Sequence, residues 1–181
     1  MDLNETTVVD EPLKGAMERI SHTPLEQLAE LFEFPSELTL AAIVSLFASL
    51  QENPGDIKSR LILIGFLYYE TTDTRWQELF MWFVVETPEH PILSRLSALI
   101  MDVLNPEFYE KLTCEWDKQI DLNPNSAVVW MHAALCLSDL EQALQYIQEA
   151  EKLEPENADV QRTARRIRRF IALGLNDINN D

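Results

Sequence analysis

Apolar residues recur at three- and four-residue steps along most of this chain, and no stretch sustains the two-residue alternation of a half-buried strand. The pattern predicts helices and no sheet. Thr23-Pro24 opens a first helix over about 24–33, and Pro35-Ser36 opens a second over 36–52 through Leu38, Leu40, Ile43, Val44, Leu46, Phe47 and Leu50. Asn53-Pro54-Gly55-Asp56 ends that helix and caps the next, whose face carries Leu61, Ile64, Phe66, Leu67 and Tyr68. Thr72-Asp73-Thr74 starts its partner, bearing Trp76, Leu79, Phe80, Phe83 and Val84, which Thr87-Pro88 closes. The pattern resumes through Leu93, Leu96, Leu99, Ile100 and Val103, breaks at Asn105-Pro106, and continues through Phe108, Tyr109, Leu112, Trp116 and Ile120 to Asn123-Pro124. Residues 129–137 and 140–153 form another pair across Ser138-Asp139, ended by Glu154-Pro155, and a last helix covers about 157–173.

The closing prolines Pro54, Pro88, Pro124 and Pro155 stand 34, 36 and 31 residues apart. A period of this size marks helical hairpins that cannot bury their apolar faces singly and stack to share a core. The expected organisation is an acidic, disordered lead-in over 1–12 followed by one domain over 13–181. That domain comprises a hairpin over 13–52, three degenerate repeats over 53–155 and a capping helix within 156–175.

Composition supports the all-α reading, because only 4 glycines occur among 181 residues and 46% of the chain is hydrophobic. Charge narrows the function. With 31 acidic against 14 basic residues the formal net charge is -17, which repels a nucleic-acid backbone. The same acidity suits solubility or a basic partner, and charge alone leaves both open. The amino terminus lacks a basic and then apolar leader, and the longest apolar run, 61–69, is far short of a membrane span. A cytoplasmic, soluble protein without membrane or nucleic-acid partners is expected. Cys114 and Cys136 have no CxxC or Cys/His spacing and lie in apolar helical stretches, so both are expected as reduced, buried thiols.

In the last hairpin, Trp130, Ala134, Ala143, Ile147, Ala150 and Pro155 fall in a pattern that resembles the tetratricopeptide repeat, with a three-residue deletion between the helices. Small residues at Ala134 and Ala143 fit the close approach of two helix backbones. The resemblance extends more weakly over 53–173, where Trp76, Phe80 and Phe83 replace the repeat's smaller contacts. It implies a right-handed α-α superhelix of stacked hairpins, with a groove lined by the first helix of each pair. Carried over by register, the groove residues are Lys58, Leu61 and Tyr68, then Arg95, Leu99 and Asp102, then Met131, Leu135 and Ser138. Leu99 and Leu135 stand where the family's peptide-carboxylate clamp has asparagines. Pro124, Asn125 and Trp130 also resemble the repeat of the protein prenyltransferase α subunit, which again implies stacked hairpins.

No nucleophile and base pair, metal spacing or phosphate loop stands out, so no catalytic residue, metal or cofactor is expected. His22, His90 and His132 sit in separate elements, and surface or turn packing is the expectation for each. Acidic neighbours of Cys114 disfavour a reactive thiolate there. The most unusual local feature is Arg162, Arg165, Arg166, Arg168 and Arg169 within eight positions. One reading makes them the solvent side of the capping helix, over an apolar side of Val160, Ala164, Ile167 and Ile171. The other makes Arg162, Arg165, Arg166 and Arg169 a docking surface for an acidic partner, phosphate or another copy of the chain. The expected function is a non-enzymatic adaptor or scaffold that binds a peptide or partner protein in its groove. The alternative is an acidic immunity or inhibitor protein that neutralises a basic toxin or nuclease.

Overall fold

A computed structural model describes residues 36–70, 74–100 and 105–174, with no description of the side chains of 36–41, 69–70 and 98–100. The expected lead-in over 1–12, the helix at 24–33, His22 and Asp102 lie outside the described residues, as does the side chain of Leu99. Among the described residues there are eight α-helices and no strand. They are α1 (Ser36–Glu52), α2 (Ile57–Glu70), α3 (Arg75–Glu86), α4 (Leu93–Ile100), α5 (Pro106–Leu122), α6 (Ala127–Leu135), α7 (Leu140–Leu153) and α8 (Ala158–Ala172). The chain divides into two compact units between Phe80 and Met81, within α3.

In the first unit α1 packs on α2. Ala42, Ile43, Leu46 and Leu50 form the buried stripe of α1, whereas Val44 is exposed. Helix α2 is apolar on nearly every side and residues 61–67 are all buried, as expected of a helix enclosed by neighbours. Aromatic side chains close the unit: Trp76 meets Tyr68 edge to face at 5.4 Å, and the Arg75 guanidinium lies 4.6 Å over the Phe47 ring.

In the second unit α6 is the hub. Its sequence, AVVWMHAAL, buries Ala127, Val129, Met131, His132, Ala133 and Ala134, and it touches α4, α5, α7 and α8. The contacts follow chain order: α6 on α4 and α5, then α7 on α6, then α8 on both α6 and α7. Ala134, Ala143 and Ala150 lie in one buried cluster with Met131, Leu137, Ile147, Val160, Ala164 and Ile167. Short side chains let the three backbones approach closely there. Helix α8 buries Val160, Thr163, Ala164 and Ile167 and turns its five arginines to solvent, with Ile171 packed at the edge of the cluster. Gly174, at φ 71°, takes the left-handed conformation that ends this helix, its N–H donating to the Ile171 carbonyl.

The proline turns share one construction. In each, the residue two after proline donates its N–H to the residue before proline: Asp56 to Asn53, His90 to Thr87, Ser126 to Asn123 and Asn157 to Glu154, at 2.9–3.1 Å. The same residue accepts amides at the entry to the next helix on its side chain: Asp56 from Lys58 and Ser59, His90 from Ile92 just before α4, Ser126 from Val129, and Asn157 from Asp159 and Val160. A side chain six positions after the proline then reaches back to its carbonyl, Arg60 to Pro54 at 2.7 Å, Trp130 to Pro124 at 3.1 Å and Gln161 to Pro155 at 3.0 Å.

The Pro88 turn departs from this rule. Its sixth residue is Ser94, too short to span the gap, and His132 of α6 supplies the donor instead, with Nδ1 2.8 Å from the Pro88 carbonyl. Ser94 Oγ lies 3.0 Å from His132 Nε2. A carbonyl can only accept, so Nδ1 carries the proton and the serine hydroxyl donates to Nε2.

Candidate functional site

Helices α4, α6 and α8, with Glu89 and Pro91 of the turn before α4, line a groove of about 480 Å³ in the second unit. Its floor is Val128, Met131 and Leu135 from α6, with His132 and Thr163 beside them. Arg95 of α4 and Arg162 and Arg166 of α8 bring three guanidinium groups to it, against the two carboxylates Glu89 and Asp159. Met131 and His132 are buried, Leu135 is half-buried, and the three arginines are exposed, so the groove has an apolar base and a charged rim.

The rim charges differ in what they already touch. Asp159 pairs with Arg162 at 3.0 Å across one turn of α8. Glu89 accepts a 2.6 Å hydrogen bond from Ser126 Oγ, tying the Pro88 turn to the Pro124 turn. Arg166 stacks its guanidinium 5.4 Å over Phe170. Arg95 and Arg166 have no carboxylate partner among the described residues. On the outer side of α8, Arg168 grips both carboxylate oxygens of Glu151 on α7, with one contact at 3.0 Å.

His132 is 1% exposed, and burial holds its imidazole below the usual histidine range, opposed by the hydrogen bond to the Pro88 carbonyl. The ring is neutral near pH 7 and both nitrogens are engaged, leaving none for a metal or a proton relay. Cys136 is likewise buried, and desolvation pushes its thiol up to about 12. Among the described residues no three His, Cys, Asp or Glu side chains converge on a metal position.

Of the residues that register assigned to a groove, Arg95, Met131 and Leu135 meet in this one, joined by Arg162 and Arg166 from the arginine cluster. Ser138, Arg165 and Arg169 do not line it. Lys58, Leu61 and Tyr68 belong to the first unit. Leu61 is buried there, Tyr68 is half-buried against Trp76, and the Lys58 amide bonds the Asp56 carboxylate.

Two expectations are corrected. Cys114 is exposed rather than buried, because it falls between the inward positions Leu112 and Trp116 of α5. His132 is neither a surface nor a turn residue but a buried strut. A histidine flanked by apolar residues in α6 signals burial, but its acceptor, 44 positions earlier, is visible only in three dimensions.

Trp76 and Trp116 are core residues, as expected, whereas Trp82 and Trp130 are half-buried. Trp130 stands edge-on to Tyr146 at 5.3 Å, and Tyr146 donates to Asp117 of α5, so this side of the stack is closed by polar ties. Among the described residues no helix is long and apolar enough to cross a membrane. No protein-family model, curated protein or solved structure matches this chain significantly.

Proposed function

We propose that this protein is a non-enzymatic adaptor of tetratricopeptide-like architecture that binds a peptide or a segment of another protein in the α4–α6–α8 groove. The observation that carries the reading is the order of helix contacts. α6 meets the first helices before and after it, α4 and α8, as well as its own partner α7 and the preceding α5. In stacked hairpins of this kind the first helices form an inner row, and an inner row offers a continuous surface to an extended or helical ligand. The proline turns support the same repeat, since all four share the backbone bond across the proline and a capping side chain two residues on, and three of them also share the side-chain reach back to the proline carbonyl.

Non-enzymatic binding is favoured by the state of the groups that chemistry would use. His132 is hydrogen-bonded at both nitrogens, and the Cys136 thiol is far from ionising at neutral pH. The half-buried Leu135 offers an apolar anchor between arginines, the mixture that peptide grooves use for affinity and orientation.

Selection from a displayed peptide library tests this reading. It should enrich related sequences whose binding to the purified protein is lost with Leu135→Asp and kept with Leu122→Asp, a change at an exposed residue outside the groove. Failure to enrich any peptide, or equal binding by both variants, would remove the groove as the site.

A further inference from the structure

We infer that the occupant of this groove is a peptide segment rich in carboxylates, held through Arg95 and Arg166. The inference rests on the reading of the groove as a peptide site and adds the chemistry of the ligand.

Acidic residues outnumber basic ones by more than two to one in this chain, 31 against 14. Two arginines of α8 have an intramolecular carboxylate partner, Arg162 with Asp159 and Arg168 with Glu151, whereas Arg95, Arg165, Arg166 and Arg169 have none among the described residues, and of these four Arg95 and Arg166 line the groove. Around the groove Asp159 is paired with Arg162, and Glu89 accepts from the Ser126 hydroxyl on the Pro124 side, so neither carboxylate is paired with Arg95 or Arg166. Arg95 and Arg166 therefore face the groove as cations without an anionic partner among the described residues.

Their placement suits an external carboxylate. Arg166 stacks on Phe170, which steadies the plane of its guanidinium and leaves the N–H edges open for the two-pronged contact that guanidinium makes with carboxylate. Arg95 comes from α4 and Arg166 from α8, so the two cations bracket the apolar floor of Val128, Met131 and Leu135 laid down by α6. A segment that places acidic side chains on either side of an apolar one satisfies both cations and fills the floor. The net charge of -17 disfavours a long polyphosphate chain, which would meet repulsion beyond the groove, whereas a short acidic segment is confined to the arginine-bearing part.

The test uses three fluorescent peptides of equal length that share their leucines and carry glutamate, glutamine or lysine between them, titrated into the full chain by anisotropy. The glutamate peptide is expected to bind at least about tenfold more tightly than the other two, and to weaken as salt rises. Arg95→Glu and Arg166→Glu should each weaken it about tenfold or more, while Arg169→Glu, an exposed change outside the groove, should leave it within about twofold. All three arginines are exposed, so the variants should keep the helical signal and melting temperature of the parent.

Equal binding of the glutamine peptide would overturn the carboxylate preference and leave the groove intact as a peptide site. Glutamate-peptide binding that survives Arg95→Glu and Arg166→Glu, or falls only with Arg169→Glu, would overturn the inference by locating the ligand elsewhere. Concentration-dependent dimers that dissociate in Arg95→Glu and Arg166→Glu would overturn it too, making a second copy the occupant. Binding by none of the three peptides would also refute the carboxylate preference. Library selection then reports separately on the groove itself.

Discussion

His132 shows how one side chain can hold several elements in register. It reaches from α6 to the Pro88 carbonyl and to Ser94 of α4, so its removal leaves a buried acceptor and a hydroxyl without their partner. His132→Leu is expected to cost about 2–3 kcal/mol in urea unfolding, and Ser94→Ala about 1 kcal/mol. The same burial makes the strut sensitive to acid. The folded state disfavours the imidazolium, chiefly through desolvation, whereas the unfolded chain takes up the proton near pH 6.5. The contribution of His132 is therefore complete above about pH 6.5 and is lost as the pH falls below that value, and His132→Leu should flatten this part of the stability profile. The cysteines give a simpler contrast. Cys114 is exposed and Cys136 is buried with its thiol pushed up to about 12, so a thiol reagent at neutral pH should modify one group in the native protein and both after denaturation.

Among the elements, the helix starts carry much of the specificity. Asp139 accepts the amides of Glu141 and Gln142 at the start of α7, and Asn157 accepts those of Asp159 and Val160 at the start of α8. Replacing either with alanine should destabilise the protein by about 1 kcal/mol, while Asn157→Asp should be close to neutral because a carboxylate caps equally well. The positions of the starts were legible in advance, because prolines and the Ser138-Asp139 turn mark the breaks, and the observed starts of α5 through α8 lie within two residues of the expected ones; of the capping side chains two residues after proline, the sequence reading identified Asp56. The long reach from Arg60, Trp130 and Gln161 back to the proline carbonyls was not legible. Three chemically different side chains do the same job, so no residue-type pattern announces it.

At the scale of the whole molecule, the second unit depends on α8 to cover the apolar surface that α6 and α7 leave open. Val160, Ala164 and Ile167 supply that cover, and Ile167 is 4% exposed. Ile167→Ala should cost about 2–4 kcal/mol, whereas Arg165→Ala on the opposite face should stay within about 0.5 kcal/mol, both measured by chemical denaturation. The structure divides the arginine cluster between two surroundings. Arg168 braces α8 on α7, while Arg162 and Arg166 turn to the groove, because successive arginines around a helix of 3.6 residues per turn point in different directions.

What the sequence determined by itself was the local grammar: helices from three- and four-residue apolar steps, their limits from prolines and capping side chains, and close helix contacts from alanines at 134, 143 and 150. These features depend on neighbours a few positions apart, which a linear reading can see. The tertiary structure alone decided which arginines share a groove, which histidine replaces a short serine beneath Pro88, and which thiol meets solvent. Each of these joins residues far apart in the chain or turns on the angle at which one helix meets another, and both are settled by packing among several helices at once.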